Sequence, residues 1–125
     1  MSTPKVTIAI VEDDDAMRKS IERVLHAKGY LTEAFASAEA FLDSGSANRV
    51  GDLILLLDIH LPGMSGIELQ RSLRASGSTL PLIFMTAYDD PATRAKALAM
   101  GCVSYLSKPF EADALAKALE SAVTG

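Results

Sequence analysis

Short runs of aliphatic and aromatic residues alternate along this chain with longer stretches in which apolar side chains recur at every third or fourth position. The runs fall at residues 6–11, 30–35, 53–57, 82–85 and 103–106. Each is too short for a helix and rich in the residue types that suit a pleated, buried surface, so each predicts a strand. Between them, Met17, Ile21, Val24 and Leu25 mark an amphipathic helix that stops before Gly29, and Leu115, Leu119 and Val123 mark the last one. Capping residues sharpen the boundaries. Asp14 or Asp15 suits the start of the first helix, Ser37 that of the second, and Ser65 with Glu68 makes a capping-box pattern ahead of Leu69 and Leu73. A fourth helix, within 90–100, is alanine-rich and has the weakest apolar stripe, while 44–48 and 75–78 read as short loops.

The predicted strands begin at residues 6, 30, 53, 82 and 103, spacings of 24, 23, 29 and 21 residues, or one strand-helix unit each time. Strict alternation implies right-handed crossovers and a parallel sheet covered on both faces, and the unbroken run Leu53-Ile54-Leu55-Leu56-Leu57 has the character of a strand buried on both sides. The expected fold is therefore α/β: a three-layer α/β/α sandwich around a five-stranded parallel sheet, read as one domain over residues 1–125.

Composition narrows the function classes. At 125 residues with 49% apolar and 22% charged content, one compact domain is expected. Sixteen acids against twelve bases leave a net charge of −4, which argues against electrostatic binding of nucleic acid or anionic lipid. The longest aliphatic run spans residues 53–57, far short of the roughly 18 residues a membrane span needs. Residues 1–5 lead straight into the first strand with no apolar leader between, so the expectation is a protein that is not exported. Cys102, the sole cysteine, excludes an intrachain disulfide and a cysteine-rich zinc site, and fits the reducing cytoplasm.

In an open parallel sheet, ligands bind beyond the carboxyl ends of the strands. Glu12, Asp13, Asp14 and Asp15 follow the first strand, Asp58 the third, Thr86 the fourth, and Lys108 stands just after the fifth. Successive strand-helix units would bring these groups to one edge. Carboxylates a few ångströms apart repel by about 1–4 kcal/mol per pair at effective dielectrics of 80 to 20, so such a cluster recruits a proton or a cation. An all-oxygen donor set selects a hard ion, Mg²⁺ first and Mn²⁺ next, over zinc. Asp58, placed directly after five aliphatic residues and before the turn Ile59-His60-Leu61-Pro62-Gly63-Met64-Ser65-Gly66, is the candidate nucleophile toward an activated phosphoryl group. Lys108 would supply an ammonium donor and Thr86 a hydroxyl to the same group.

At these residues the chain resembles the receiver domain of two-component response regulators, from Val6 to about Val123. The motifs that carry the resemblance are Glu12-Asp13, Asp58, Thr86-Ala87 and Lys108-Pro109-Phe110, together with the loop after Asp58. The resemblance implies the flavodoxin-like strand order 2-1-3-4-5 and a phosphorylation-activated switch in a phosphorelay. It implies that Asp58 is the phosphorylation site, served by a sensor histidine kinase or a histidine phosphotransfer protein. It also implies Mg²⁺ held by Asp13, Asp58 and the His60 carbonyl, with Glu12 acting directly or through water. Glu12 stands where an aspartate is commoner in the family. Lys108 would pair with the phosphoryl group, and the Lys108-Pro109 peptide would be cis. Tyr105 falls at the aromatic switch position, where the ring turns inward as Thr86 moves toward the phosphoryl group. His60 and Tyr88 sit where relatives tune phosphoryl lifetime. Downstream, the implied partner is an effector or a C-terminal output domain outside this chain, and surfaces near Arg94, Lys96 and Lys117 are candidates for a phosphorylation-linked homodimer. By this reading the domain is a phosphoacceptor and not an enzyme.

Taken singly, each residue has a plainer explanation. The acids at 12–15 could cap a helix, Asp58 could form a turn, Thr86 and Lys108 could be solvated, and Tyr105 could be a half-buried strand aromatic. His26 and His60 read as surface or loop histidines and Cys102 as a small strand-edge apolar residue. Two rival functions stand beside the switch. One is a degenerate receiver that only binds partners. The other is a Mg²⁺-dependent phosphohydrolase with an aspartyl-phosphate intermediate, whose Asp-x-Asp pattern is not met at Asp58-Ile59-His60.

Overall fold

The computed structural model describes residues 6–48 and 52–124. The expectation drawn from the leaderless start at residues 1–5, and the final residue of the expected 1–125 domain, lie outside them. Five strands, β1 Thr7–Val11, β2 Leu31–Phe35, β3 Leu53–Asp58, β4 Leu82–Thr86 and β5 Ser104–Ser107, alternate with five helices, α1 Asp15–Ala27, α2 Ala38–Asp43, α3 Gly66–Ala75, α4 Pro91–Ala99 and α5 Ala112–Thr124. The strands form one parallel sheet in the order β2-β1-β3-β4-β5, the topology implied in advance.

The sheet separates two cores. On one face α2, α3 and α4 cover Ala9, Val11, Leu55, Leu57, Leu82 and Phe84, with Phe41, Leu69 and Leu73 pressed against them. On the other, α1 and α5 place Ile21, Leu25, Leu115 and Leu119 against Ile8, Ile10, Ile54, Leu56 and Ile83. Each large aliphatic side chain buried fully in these layers contributes about 1.5–3 kcal/mol, which is what holds the central strands. Every residue of β3 is buried, including its terminal Asp58.

The caps fall where the sequence puts them. Asp14 accepts the Met17 N–H, Ser37 the Ala40 N–H, and Ser65 and Glu68 complete a reciprocal capping box. Three local expectations need correction. Val103 lies outside β5 and is exposed, because the chain leaves Gly101 in a turn and pairing starts only at Ser104. Val123 is also exposed; α5 buries Leu115, Ala118, Leu119 and Ala122 instead, a stripe in which alanines supply the close approach to the sheet. Within the expected loop at 44–48, Ser46–Asn48 form a short 3-10 turn, with Ser46 Oγ donating to Glu33 Oε1 at 2.8 Å.

Candidate functional site

Register explains why distant residues meet. Val11 pairs with Leu57, so Glu12, the next residue out of β1, emerges level with Asp58 at the end of β3. Asp58 in turn pairs with Met85, one residue before Thr86, and Thr86 pairs with Ser107, one residue before Lys108. All lie at the carboxyl edge of the sheet. Carboxylate oxygens of Glu12, Asp13 and Asp58 lie within 4.8 Å of one another, with Glu12 and Asp58 buried and Asp13 exposed at the rim.

The two buried acids are held at both oxygens. Asp58 Oδ1 accepts the His60 N–H at 3.1 Å and Oδ2 the Lys108 ammonium at 3.3 Å. Glu12 Oε2 accepts the Asp14 N–H at 3.2 Å, and Oε1 receives Lys108 in the closer of that lysine's two ion pairs. Burial works to lower the Lys108 pKa, but the hydrogen bond to Glu12 and the charges of Asp58 and Glu12 outweigh it and hold the ammonium above the ordinary lysine value of 10.5. The lysine therefore stays charged across the physiological range. The Lys108-Pro109 peptide is cis, and the Lys108 N–H donates to the Thr86 carbonyl at 2.6 Å, tying the end of β5 to that of β4.

The loop from Asp58 to α3 is built without spare room. A Cβ on Gly66 would collide with the Asp58 carbonyl oxygen and sit 2.9 Å from the Ile59 Cα, and the Gly66 N–H donates to the Ile59 carbonyl at 2.9 Å. Gly63 turns with φ +75°, and the Glu39 carboxylate reaches over from α2 to accept the Met64 N–H at 2.9 Å. That backbone donor holds the Glu39 pKa below the usual carboxylate range.

Thr86 is fully buried, and its hydroxyl donates to the Tyr88 carbonyl at 2.9 Å while accepting the Tyr88 N–H at 3.1 Å. Tyr105 lies inward, 8% exposed, with its ring centroid 6.4 Å from that of Phe84 and its hydroxyl without a hydrogen-bond partner among the described residues. Burial raises the phenol pKa, and the neighbouring Asp89 charge adds to this against the pull of Arg94. His60 and Tyr88 meet edge to face at the rim, with centroids 6.3 Å apart. The His60 ring takes no part in the acidic cluster.

Besides Glu39, three contributors have no signal in the sequence. Arg18 Nη1 donates to the Glu12 carbonyl at 2.8 Å and braces the end of β1. Asp89 accepts from both Arg94 and Ser107. Gln70, wholly buried on α3, donates to the Ala97 carbonyl of α4 at 3.3 Å. Each depends on a contact between elements that no local spacing encodes.

The donor set suits a hard divalent cation: three carboxylates from two adjacent strand ends, two of them buried and fixed in orientation, with no sulfur or imidazole among them. Beside this cluster stands an ammonium that can neutralise a second anionic group. Together they can hold a phosphoryl-bearing ligand against the Asp58 carboxylate.

Known proteins resemble this chain along nearly its whole length. The sequence profile of the response regulator receiver domain matches residues 8–120. The transcriptional regulatory protein FixJ of Bradyrhizobium diazoefficiens is 36% identical over 97% of this chain and 58% of its own length. The response regulator protein TodT of Pseudomonas putida is 33% identical over 98% of this chain and 53% of its own. The crystal structure of FixJ-N superposes with a TM-score of 0.88 at 34% identity, covering 98% of this chain and 96% of that one. The chain thus spans a little over half the length of these curated relatives.

Proposed function

The chain belongs to the response regulator receiver domain family, and from that premise we propose that Asp58 takes a phosphoryl group from a phosphohistidine and that the domain then signals through its altered surface. The observation that carries this reading is the pairing of one buried carboxylate with a buried-edge ammonium beside two further acids: Asp58 with Lys108, Glu12 and Asp13.

In the transfer, an Asp58 carboxylate oxygen attacks phosphorus, the new P–O bond forms, and the P–N bond to the donor imidazole breaks with the electron pair leaving on nitrogen. A Mg²⁺ ion held by Glu12, Asp13, Asp58 and the His60 carbonyl would supply neutralisation of phosphoryl charge. The chain's own groups do the rest. The His60 N–H orients Asp58, and Lys108 presents its ammonium to the incoming phosphoryl oxygens. The Thr86 hydroxyl, on leaving the Tyr88 backbone, can donate to the same oxygens. In this reading the set needs no separate general base, and the domain is a phosphoacceptor rather than an enzyme acting on a separate substrate.

The donor is then a sensor histidine kinase or a histidine phosphotransfer protein. Because the relatives are nearly twice as long and include a named transcriptional regulator, the readout belongs to an effector or to an output domain of a longer protein. A cytoplasmic site of action goes with this reading; among the described residues no helix is long and apolar enough to cross a membrane. A phosphorylation-linked homodimer would draw on Lys96 or Lys117 more than on Arg94, whose guanidinium is engaged within its own chain.

The test is incubation with acetyl phosphate and Mg²⁺ followed by intact mass. Wild type is expected to gain one phosphoryl group and Asp58→Asn none. Equal labelling of both would remove Asp58 from the role, and no labelling of either would favour a domain that only binds partners.

A further inference from the structure

The Tyr105 ring and the Thr86 hydroxyl are placed as though they answered to different masters. The ring lies inward among buried core residues, while Thr86 Oγ1 is turned to the backbone of Tyr88, bonded both ways. In the switch that the resemblance implies, the ring turns inward as Thr86 moves toward the phosphoryl group; here the ring is inward while Thr86 faces its own loop. Ring burial also carries a penalty, because the Tyr105 hydroxyl is buried without a partner among the described residues.

What offsets that penalty is visible on the outer side of the ring. The Arg94 guanidinium carbon sits 5.2 Å from the ring centroid, within range of a cation–π contact. Arg94 Nη1 donates to Asp89 Oδ2 at 3.3 Å, and the same oxygen accepts the Ser107 hydroxyl at 3.2 Å. Three segments meet at one carboxylate: the loop after β4, the helix α4 and the end of β5. The guanidinium lies over the ring from α4, and its bond to Asp89, itself bonded by Ser107, favours that placement over one in solvent.

We propose that Asp89, Arg94 and Ser107 form a strap that holds Tyr105 inward independently of Thr86, so that the surface of α4 and β5 is preset toward one arrangement before the acceptor site acts. Arg94 is thus a positioning residue for Tyr105 and has no part in the transfer. As a statement about output, the proposal rests on the phosphoacceptor reading; as a statement about what holds the ring, it does not.

Both parts are read by NMR of the chain carrying ¹³C-labelled tyrosine, with a soluble paramagnetic relaxation agent reporting ring exposure and Tyr105→Phe assigning the signal. Wild type and Thr86→Ala are expected to keep the Tyr105 ring protected. Arg94→Met is expected to raise its relaxation enhancement at least threefold, and Arg94→Lys, which keeps a cation against Asp89, to recover most of the protection. Uptake of phosphoryl from acetyl phosphate is expected to stay within twofold of wild type in both Arg94 variants. A ring as protected in Arg94→Met as in wild type, or as exposed in Thr86→Ala as in Arg94→Met, overturns the strap. A wild type that takes up no phosphoryl group, while Arg94→Met still exposes the ring, overturns the acceptor reading and upholds the strap.

Discussion

Two corners of the sheet carry site residues into helices, and they are built on opposite plans. From β3, Asp58 leads through a loop in which Gly66 has no space for a side chain, into α3, which is closed by a reciprocal capping box and buries Gly66, Leu69, Gln70 and Leu73. From β4, Thr86 leads through a loop held by side-chain hydrogen bonds to Tyr88 and Asp89, into α4, whose one buried residue is Ala97. The first corner is fixed by close packing, which has no nearby alternative arrangement. The second is fixed by polar contacts, part-buried at Thr86 and exposed at Asp89, each worth about 0.5–1.5 kcal/mol, which can be exchanged for others. On the phosphoacceptor reading the two plans suit two tasks: a carboxylate that takes a group needs the first kind of support, and a part that responds to it needs the second.

The contrast is broken most directly by truncating a leucine in each helix. Leu69→Ala is expected to cost about 2–5 kcal/mol in denaturant unfolding, because Leu69 is fully buried beneath α3. Leu98→Ala on α4, at 51% exposure, is expected to stay within about 0.5 kcal/mol. Comparable losses at both positions would mean that α4 is anchored far more firmly than its burial shows.

A smaller effect separates the loops themselves. Gly66→Ala places a methyl against the Asp58 carbonyl and is expected to cost about 1–3 kcal/mol as the backbone yields. It is also expected to slow labelling by acetyl phosphate, since the shift displaces the strand end that carries Asp58. Unaltered labelling with full stability would show that this corner is softer than its geometry implies.

The smallest effect is a pH dependence confined to the first corner. Glu39 is lowered by its bond from the Met64 N–H, and Glu68 by its bonds from the Ser65 N–H and then the Ser65 side chain. Because both pKa values fall on folding, the stability they contribute is present above the ordinary carboxylate value of 4.5 and is lost as pH drops through the lowered values. The amide resonances of Met64 and Ser65 should therefore titrate below 4.5. Glu39→Gln and Glu68→Gln should abolish those titrations one at a time; midpoints at or above the ordinary value would contradict the assignment.

Much of this molecule can be read from residue order alone. The five apolar runs, the Ser65–Glu68 cap and the acids, Thr86 and Lys108 at four strand ends are all local patterns, and the parallel register brings those strand ends together. Val103 and Val123 mislead because an apolar residue beside an element looks the same in sequence whether it faces the core or the solvent. Glu39, Gln70, Asp89 and Arg18 carry no spacing to single them out, since each acts across a gap between elements.

By itself, the sequence determined which segments become strands and helices and which chemical groups stand at the strand ends, because periodicity and capping act over a few residues. Tertiary structure alone decided how those groups share their bonds: that Lys108 leans closer to Glu12 than to Asp58, that Thr86 faces its own loop, and that Arg94 covers the Tyr105 ring. Such choices depend on distances between elements far apart in the chain, which only the packed sheet and its two helical layers define.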